Sequence, residues 1–284
     1  MLKSLSVIRH HPIHRRWFYP LVSCVIAFSL YLSSAYPTQA LDWRNLIFRG
    51  IQVIQLTSMS DRQEVNLGKQ IDQQLKRELR FDSNRATQQY ISDIGQRLAA
   101  YSDRLNIPFT FQVVNDNNIN AFATMGGFVY VNTGLIKAAE NEAELASVIA
   151  HEIAHITSRH AVKQMRQMAI AQGVASAAGI DENIAVQIGV ELALRRPHSR
   201  QAEYEADRLG LFMLGQAGYA QIAAVTFMEK LLRRGSPPTF LSTHPATGDR
   251  IAAMKNLMDP NRAYDGVGLD ERAYQQTLTA LFRR

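Results

Sequence analysis

The chain has 284 residues, 46% of them hydrophobic and 20% charged, with 31 Lys+Arg against 25 Asp+Glu and a single cysteine. This excludes a disordered or low-complexity chain and leaves enough apolar side chains for an ordinary buried core. Four basic residues, Lys3, Arg9, Arg15 and Arg16, precede Trp17, so the remainder carries only about +2 and gives no support for nucleic-acid binding.

Residues 1–40 contain no acid. A basic start, an almost wholly apolar or small stretch from Trp17 to Tyr36, and Pro37-Thr38-Gln39-Ala40 read as an export leader cut near Ala40. Two alternatives stand beside this. The stretch is about 20 residues long, enough to stay uncut as a membrane anchor with its basic end in the cytoplasm. Leu21-Val22-Ser23-Cys24 also resembles a lipoprotein box, which would lipidate Cys24. All three place the rest of the chain outside the cytoplasm, in the periplasm or on the outer face of a membrane. With Cys24 the only cysteine, the exported part forms no internal disulfide. Residues 41–60 are a mixed lead-in, and the absence of a second composition regime predicts one domain over 61–284.

Ser60 or Asp61 can cap a helix to about Arg80, with Leu67, Ile71, Leu75 and Leu79 along one face. A second helix covers Arg85 to Ser102, with Tyr90, Ile91, Ile94, Leu98 and Tyr101 inward. After Pro108, Phe109–Val114, Ala121–Thr124 and Phe128–Val131 read as strands of a small antiparallel sheet. Its edge can take up an extended peptide, with Phe128, Val129 and Tyr130 as the expected cradle. A helical turn follows from Leu135, and Asn141 with Glu144 fits a capping box for a long helix from Glu142 to about Met168.

That helix carries His151-Glu152-Ile153-Ala154-His155. A four-residue step turns the helix by a net ~40°, so both imidazoles leave one face and can share a metal ion. Glu152 falls about 60° round from His155, placed as a base for metal-bound water. His160, five residues past His155, is turned by about 140° and reads as a surface residue or one standing behind a ligand, not as a ligand itself. Met168 to Leu194 reads as a two-helix hairpin packed on the core, and Arg195–Arg200 as a basic, Pro-broken loop. The next helix runs from Gln201 to about Gln216. On it Glu203 and Asp207 share a face, one able to complete the metal site and the other to accept the spare N–H of a ligating histidine. Glu205 points about 200° away from Glu203. The elements amount to an α+β, mostly helical fold.

His151–His155, the Glu203-x-Glu205-Ala206-Asp207 helix 48 residues after His155, Glu64–Gly68, Asn120–Ala123 with Gly126-Gly127, Ser199-Arg200, His244-Pro245 and Arg250 together resemble a known family. It is the zinc metallopeptidase family of the type I CAAX prenyl proteases, the HtpX heat-shock proteases and the BepA-like periplasmic peptidases. The resemblance covers roughly Asp61 to Met258 and implies a zincin-like domain with a small antiparallel sheet beside the histidine helix. It further implies one Zn2+ on His151, His155 and Glu203, with Glu152 as base and Asp207 as orienting carboxylate. Asn120 joins the Phe128–Val131 strand in the peptide cradle. His244 either stabilises the oxyanion or fills the open coordination position and holds the enzyme latent; Arg250 supports it or binds substrate. No apolar stretch beyond the leader is long enough to span a bilayer, so a compact, soluble-type member is expected.

The expected activity is zinc-dependent endopeptidase cleavage of unfolded or misassembled envelope proteins, with a membrane or envelope-assembly partner. The alternative is a zinc-containing chaperone or assembly factor with latent or little proteolysis.

Overall fold

The computed structural model describes residues 53–174, 179–233, 239–245 and 248–282. The chain divides into residues 1–51 and 52–284, and the leader with its three alternatives lies outside the described residues. Among the described residues no helix is long and apolar enough to cross a membrane.

A two-residue strand β1 (Val53–Ile54) leads to helix α1 (Asp61–Glu78). Ser60 caps α1 through a complete capping box with Gln63, and Leu67, Ile71 and Leu75 are buried along one face. Helix α2 (Arg85–Ala99) starts at Asn84, whose side chain accepts from Ala86 N and Thr87 N, and buries Ile91, Ile94 and Leu98. Tyr101, expected inward, lies past the end of α2 and is 44% exposed.

Three strands follow, β2 (Thr110–Val114), β3 (Ala121–Ala123) and β4 (Phe128–Asn132), in the order β2-β4-β3. The sheet is mixed, which corrects the antiparallel expectation: β3 runs antiparallel to β4, but β2 runs parallel to it. Two chain reversals after β2 restore its direction by β4, and β4 then inserts between the other two. The central strand is therefore β4, with both edges already paired, and Phe128, Val129 and Tyr130 are 7%, 0% and 0% exposed. The cradle expected there is corrected: Phe128–Tyr130 lie inside the sheet, whose edge strands are β2 and β3. Thr124 N donates to Phe128 O and Asn132 N to Asn120 O, so alternation turns the N–H and C=O of Ala121 and Ala123 away from β4.

After the short helix α3 (Thr133–Ala138) comes α4 (Glu142–Thr157), whose residues from Ala143 to Ile156 are all buried. The Asn141 side chain caps α4 by accepting from Glu144 N at 3.0 Å, while the Glu144 carboxylate accepts from Glu140 N instead of closing the box. The continuous helix expected to Met168 breaks at Ser158-Arg159, and α5 (His160–Ala171) sets off in a new direction. The break is made by Arg159, left-handed at φ 56°, whose Nε lies 3.0 Å from the buried Glu64 carboxylate and whose Nη2 donates to Met59 O.

The strand β5 (Ile180–Asp181) pairs antiparallel with β1 and opens α6 (Glu182–Arg195), the second arm of the expected hairpin. Then follow α7 (Arg200–Gln216), capped by Ser199, α8 (Ile222–Leu232), α9 (Thr239–Thr243), α10 (Gly248–Leu257) and α11 (Glu271–Phe282). The largest apolar cluster surrounds α4 and takes in side chains of α2, β2, β4, α7, α8 and α11. A helix buried on every side is apolar all round by necessity, so its few charged or polar residues need a compensating partner.

Candidate metal centre

Those exceptions on α4 are Glu144, Ser147, His151, Glu152 and His155. Glu144 is compensated by Lys230, His151 and His155 face α7, and Glu152 faces His244. The two helices approach closely because Gly210 lacks a side chain: a Cβ there would lie 3.2 Å from His151 N. This sets the first turns of α7 beside the histidines. Glu203 Oε2 lies 3.5 Å from His151 Nε2 and Glu203 Oε1 lies 3.5 Å from His155 Nε2. The two imidazoles meet at 3.0 Å between their Nε2 atoms.

His244, just beyond α9, enters from the far side of the chain. Its Nδ1 is 3.3 Å from His151 Nε2 and 3.2 Å from Glu203 Oε1, and its Nε2 is 3.3 Å from Glu152 Oε1. One atom from each of His151, His155, Glu203 and His244 lies within 4.8 Å of the others, all four residues being buried, and this group can hold a metal ion. Glu152 is fully buried beside this group, facing His244 and the backbone of Ala123.

Behind this group stands a second layer of charge. Asp207 Oδ1 lies 3.2 Å from His151 Nδ1, the nitrogen turned away from the centre. Arg250 is 2% exposed and grips Asp207 through Nε and Nη2, while its Nη1 lies 2.6 Å from Glu203 Oε2 and donates to Pro245 O. Of the two roles expected for Arg250, support of the site fits this burial; its guanidinium faces the carboxylates rather than a cleft.

Burial alone would lower the His151 imidazole, but Asp207 and Glu203 outweigh it and push it up to about 9. His155, buried among the other imidazoles, is held well below its usual value. Burial also works against the Glu203 and Asp207 carboxylates. His244 and His151 overcome it at Glu203, Arg250 and His151 overcome it at Asp207, and both end below the carboxylate range. Burial raises Glu152, against the opposing pull of His244 and His151. Two carboxylates held ionised against a group of buried imidazoles give the charge pattern of a site built for a cation.

Glu205 and His198 are not marked as site residues by the sequence, and of the two places expected for His160 the structure shows the one behind a ligand. His160 is 5% exposed, not on the surface, with Nδ1 2.8 Å from His155 Nδ1 and Nε2 3.3 Å from Glu205 Oε2. The bend at Arg159 swings it back over His155, so the 140° expected from an unbroken helix does not apply. Glu205 does leave another face of α7 than Glu203, and that face meets α5. His198, in the loop before α7, stacks on His155 with ring centroids 4.0 Å apart; no spacing in the sequence marks it. A cleft of about 360 Å³ opens beside His160, His198 and Glu205.

On the sheet side, α6 covers β3. The space left between Phe122–Met125, Gly189, Ala193, His198 and His244 is only about 10 Å³. Asn120, at the head of β3, is half-buried, with Oδ1 enclosed and without a hydrogen-bond partner among the described residues.

Sequence comparison places these side chains among known proteins. The β-barrel assembly-enhancing protease of Escherichia coli (strain K12) is 32% identical over 223 residues, covering 72% of this chain and 46% of that protein. The mitochondrial metalloendopeptidase OMA1 of Schizosaccharomyces pombe is 31% identical over 176 residues, 60% of this chain and 52% of that one. The metalloprotease LoiP of Escherichia coli (strain K12) is 29% identical over 235 residues, 78% of this chain and 90% of its own length. The chain thus spans about half the length of the first two relatives. The model of peptidase family M48 matches residues 85–258, more than half of the chain and the whole stretch from His151 to Arg250, and the chain belongs to that family.

Proposed function

We propose that this chain is a zinc-dependent endopeptidase acting on unfolded or misassembled proteins of the cell envelope. The observation that carries the reading is the spacing of four buried ligand atoms. Four of the six separations among His151 Nε2, His155 Nε2, Glu203 Oε1 and His244 Nδ1 are 3.0, 3.3, 3.2 and 3.5 Å. A tetrahedral zinc site with bonds of about 2.0–2.1 Å has ligand–ligand edges of about 3.3 Å. Two imidazoles and a carboxylate, each backed by an outer partner, also form a common donor set of catalytic zinc.

In this reading His151, His155 and Glu203 hold the metal, and Asp207 and Arg250 keep His151 and Glu203 aimed at it. A bound zinc would supply acidification of a water molecule and polarisation of the scissile carbonyl. Glu152 is the base: it is buried beside the ligand atoms, with Oε1 3.3 Å from His244 Nε2, and it takes the proton of the attacking water and returns it to the leaving amine. The free edge of β3, with Asn120 at its head, would bind the substrate backbone as an added strand, which favours unfolded segments over folded surfaces. The relative named for β-barrel assembly, together with the leader expected over residues 1–40, supports envelope proteins as the substrate class and an envelope-assembly partner.

A second reading is favoured by His244. Its Nδ1 sits at the fourth corner of the tetrahedron, where a water would stand, and α6 leaves almost no space along β3. A latent form, or a zinc-containing assembly factor with little proteolysis, fits this state. Incubating the purified exported portion with unfolded envelope proteins, with and without a chelator, and mapping new termini by mass spectrometry tests the proposal; chelator-sensitive internal cuts are expected, and their absence at every substrate refutes it.

A further inference from the structure

We infer that His160 and Glu205 are positioning residues for His155, a carboxylate–imidazole chain that keeps the proton on His155 Nδ1 and leaves Nε2 bare toward Glu203. The inference rests on the reading that His155 is a metal ligand.

The direction follows from donors and acceptors. An ionised carboxylate only accepts, so Glu205 Oε2, 3.3 Å from His160 Nε2, requires a proton on that nitrogen. A neutral His160 then has a bare Nδ1, and His155 Nδ1, 2.8 Å away, must donate to it. That leaves His155 Nε2 with its lone pair turned to His151 Nε2 and Glu203 Oε1, where a cation would sit. The opposite tautomers would set the bare His160 Nε2 against the carboxylate, lone pair to lone pair, and put a proton on the ligating atom.

The chain has a counterpart across the site. Asp207 does for His151 directly what Glu205 does for His155 through His160, and both carboxylates come from the first turns of α7. Two rings at right-angled approach, 75° apart, are thus each fixed from behind by the helix that also supplies Glu203. The His155 and His160 rings are enclosed, whereas Glu205 borders the open cleft, so Glu205 can be altered without disturbing the core.

The test is zinc affinity of the full chain by competition with a chelator, together with the d–d spectrum of the Co2+ form and the thermal unfolding of the metal-stripped protein. Wild type is compared with His160→Leu, His160→Asn, Glu205→Gln, His160→Leu/Glu205→Gln and His155→Ala. His160→Leu is expected to bind zinc 10–100-fold more weakly, the usual effect of removing an outer partner. His160→Asn, whose side-chain oxygen replaces Nδ1 as acceptor, should recover part of that loss. Glu205→Gln should weaken binding several-fold alone and have no further effect in the His160→Leu background, since both act through one chain. The metal-stripped unfolding temperature of Glu205→Gln should stay at the wild-type value. If His160→Leu and Glu205→Gln bind zinc within about twofold of wild type while His155→Ala does not bind, the positioning role is overturned. If wild type binds no zinc, or His155→Ala binds it equally well, the metal reading itself fails.

Discussion

Arg250 meets Asp207 fork to fork: Nε donates to Oδ2 and Nη2 to Oδ1, both at 2.7 Å, with neither residue more than 5% exposed. Paired, planar and out of water, this contact holds the carboxylate that in turn holds His151.

Arg250→Met would leave two buried carboxylates short of their countercharge. Breaking a buried pair costs about 3–5 kcal/mol, so the metal-stripped protein should lose that much stability to urea unfolding. Arg250→Lys keeps the charge but loses the fork and should fall between the two. A loss under about 1 kcal/mol in Arg250→Met would show that the pair adds nothing to the fold.

Glu152→Gln keeps the shape of the site and removes the proposed base. Zinc content should match wild type, while kcat/KM for a cleaved peptide falls by about 100–10,000-fold, the range of a lost general base. Normal turnover in that variant refutes the assignment.

His244→Ala separates the two readings of the centre. Faster cleavage means that His244 closes the site; slower cleavage, with zinc retained, means that it assists the reaction. Cleavage by neither form favours the assembly-factor reading.

Removing the metal should make stability depend on pH in a defined direction. His151, faced by Asp207, Glu203, His155 and His244, is raised in the folded protein from its usual 6.5 to about 9. The folded state holds the proton more tightly, so this stabilisation is complete below about pH 6.5 and is lost as pH rises through about 9. Chelator-treated protein should therefore have its urea midpoint fall over that window, and zinc affinity should rise there as the proton leaves. A flat profile would show that His151 is not the protonated member.

Gly68→Ala tests the support of the free strand. A Cβ at Gly68 would come 2.2 Å from Met125 O, a main-chain atom in the turn between β3 and β4, and main chain cannot yield as a side chain can. The substitution should cost about 1–3 kcal/mol in urea unfolding. Its absence would mean that α1 shifts without consequence.

Two histidines one helical turn apart, with Glu152 between them, are a local arrangement, and any helix through that stretch brings them to one face. The same holds for Glu203 and Asp207 on α7 and for the caps at Ser60 and Asn141. Helix spacing depends only on neighbouring residues, so these features are legible in the sequence alone. The pairing of strands is not local: β4 sits between β2 and β3 because of contacts that no run of residues encodes, and this moved the free edge from Phe128–Tyr130 to Ala121–Ala123. The break at Arg159 likewise depends on Glu64, far back in the chain, and it is the break that carries His160 over His155 and lets Glu205 reach it. The inward reach of Arg250 and the stacking of His198 follow from α10 and the loop before α7 folding over the site. Secondary structure and the metal-binding faces are set by short-range periodicity, whereas the outer partners of the metal site are set by which elements pack together, and only the tertiary structure decides that.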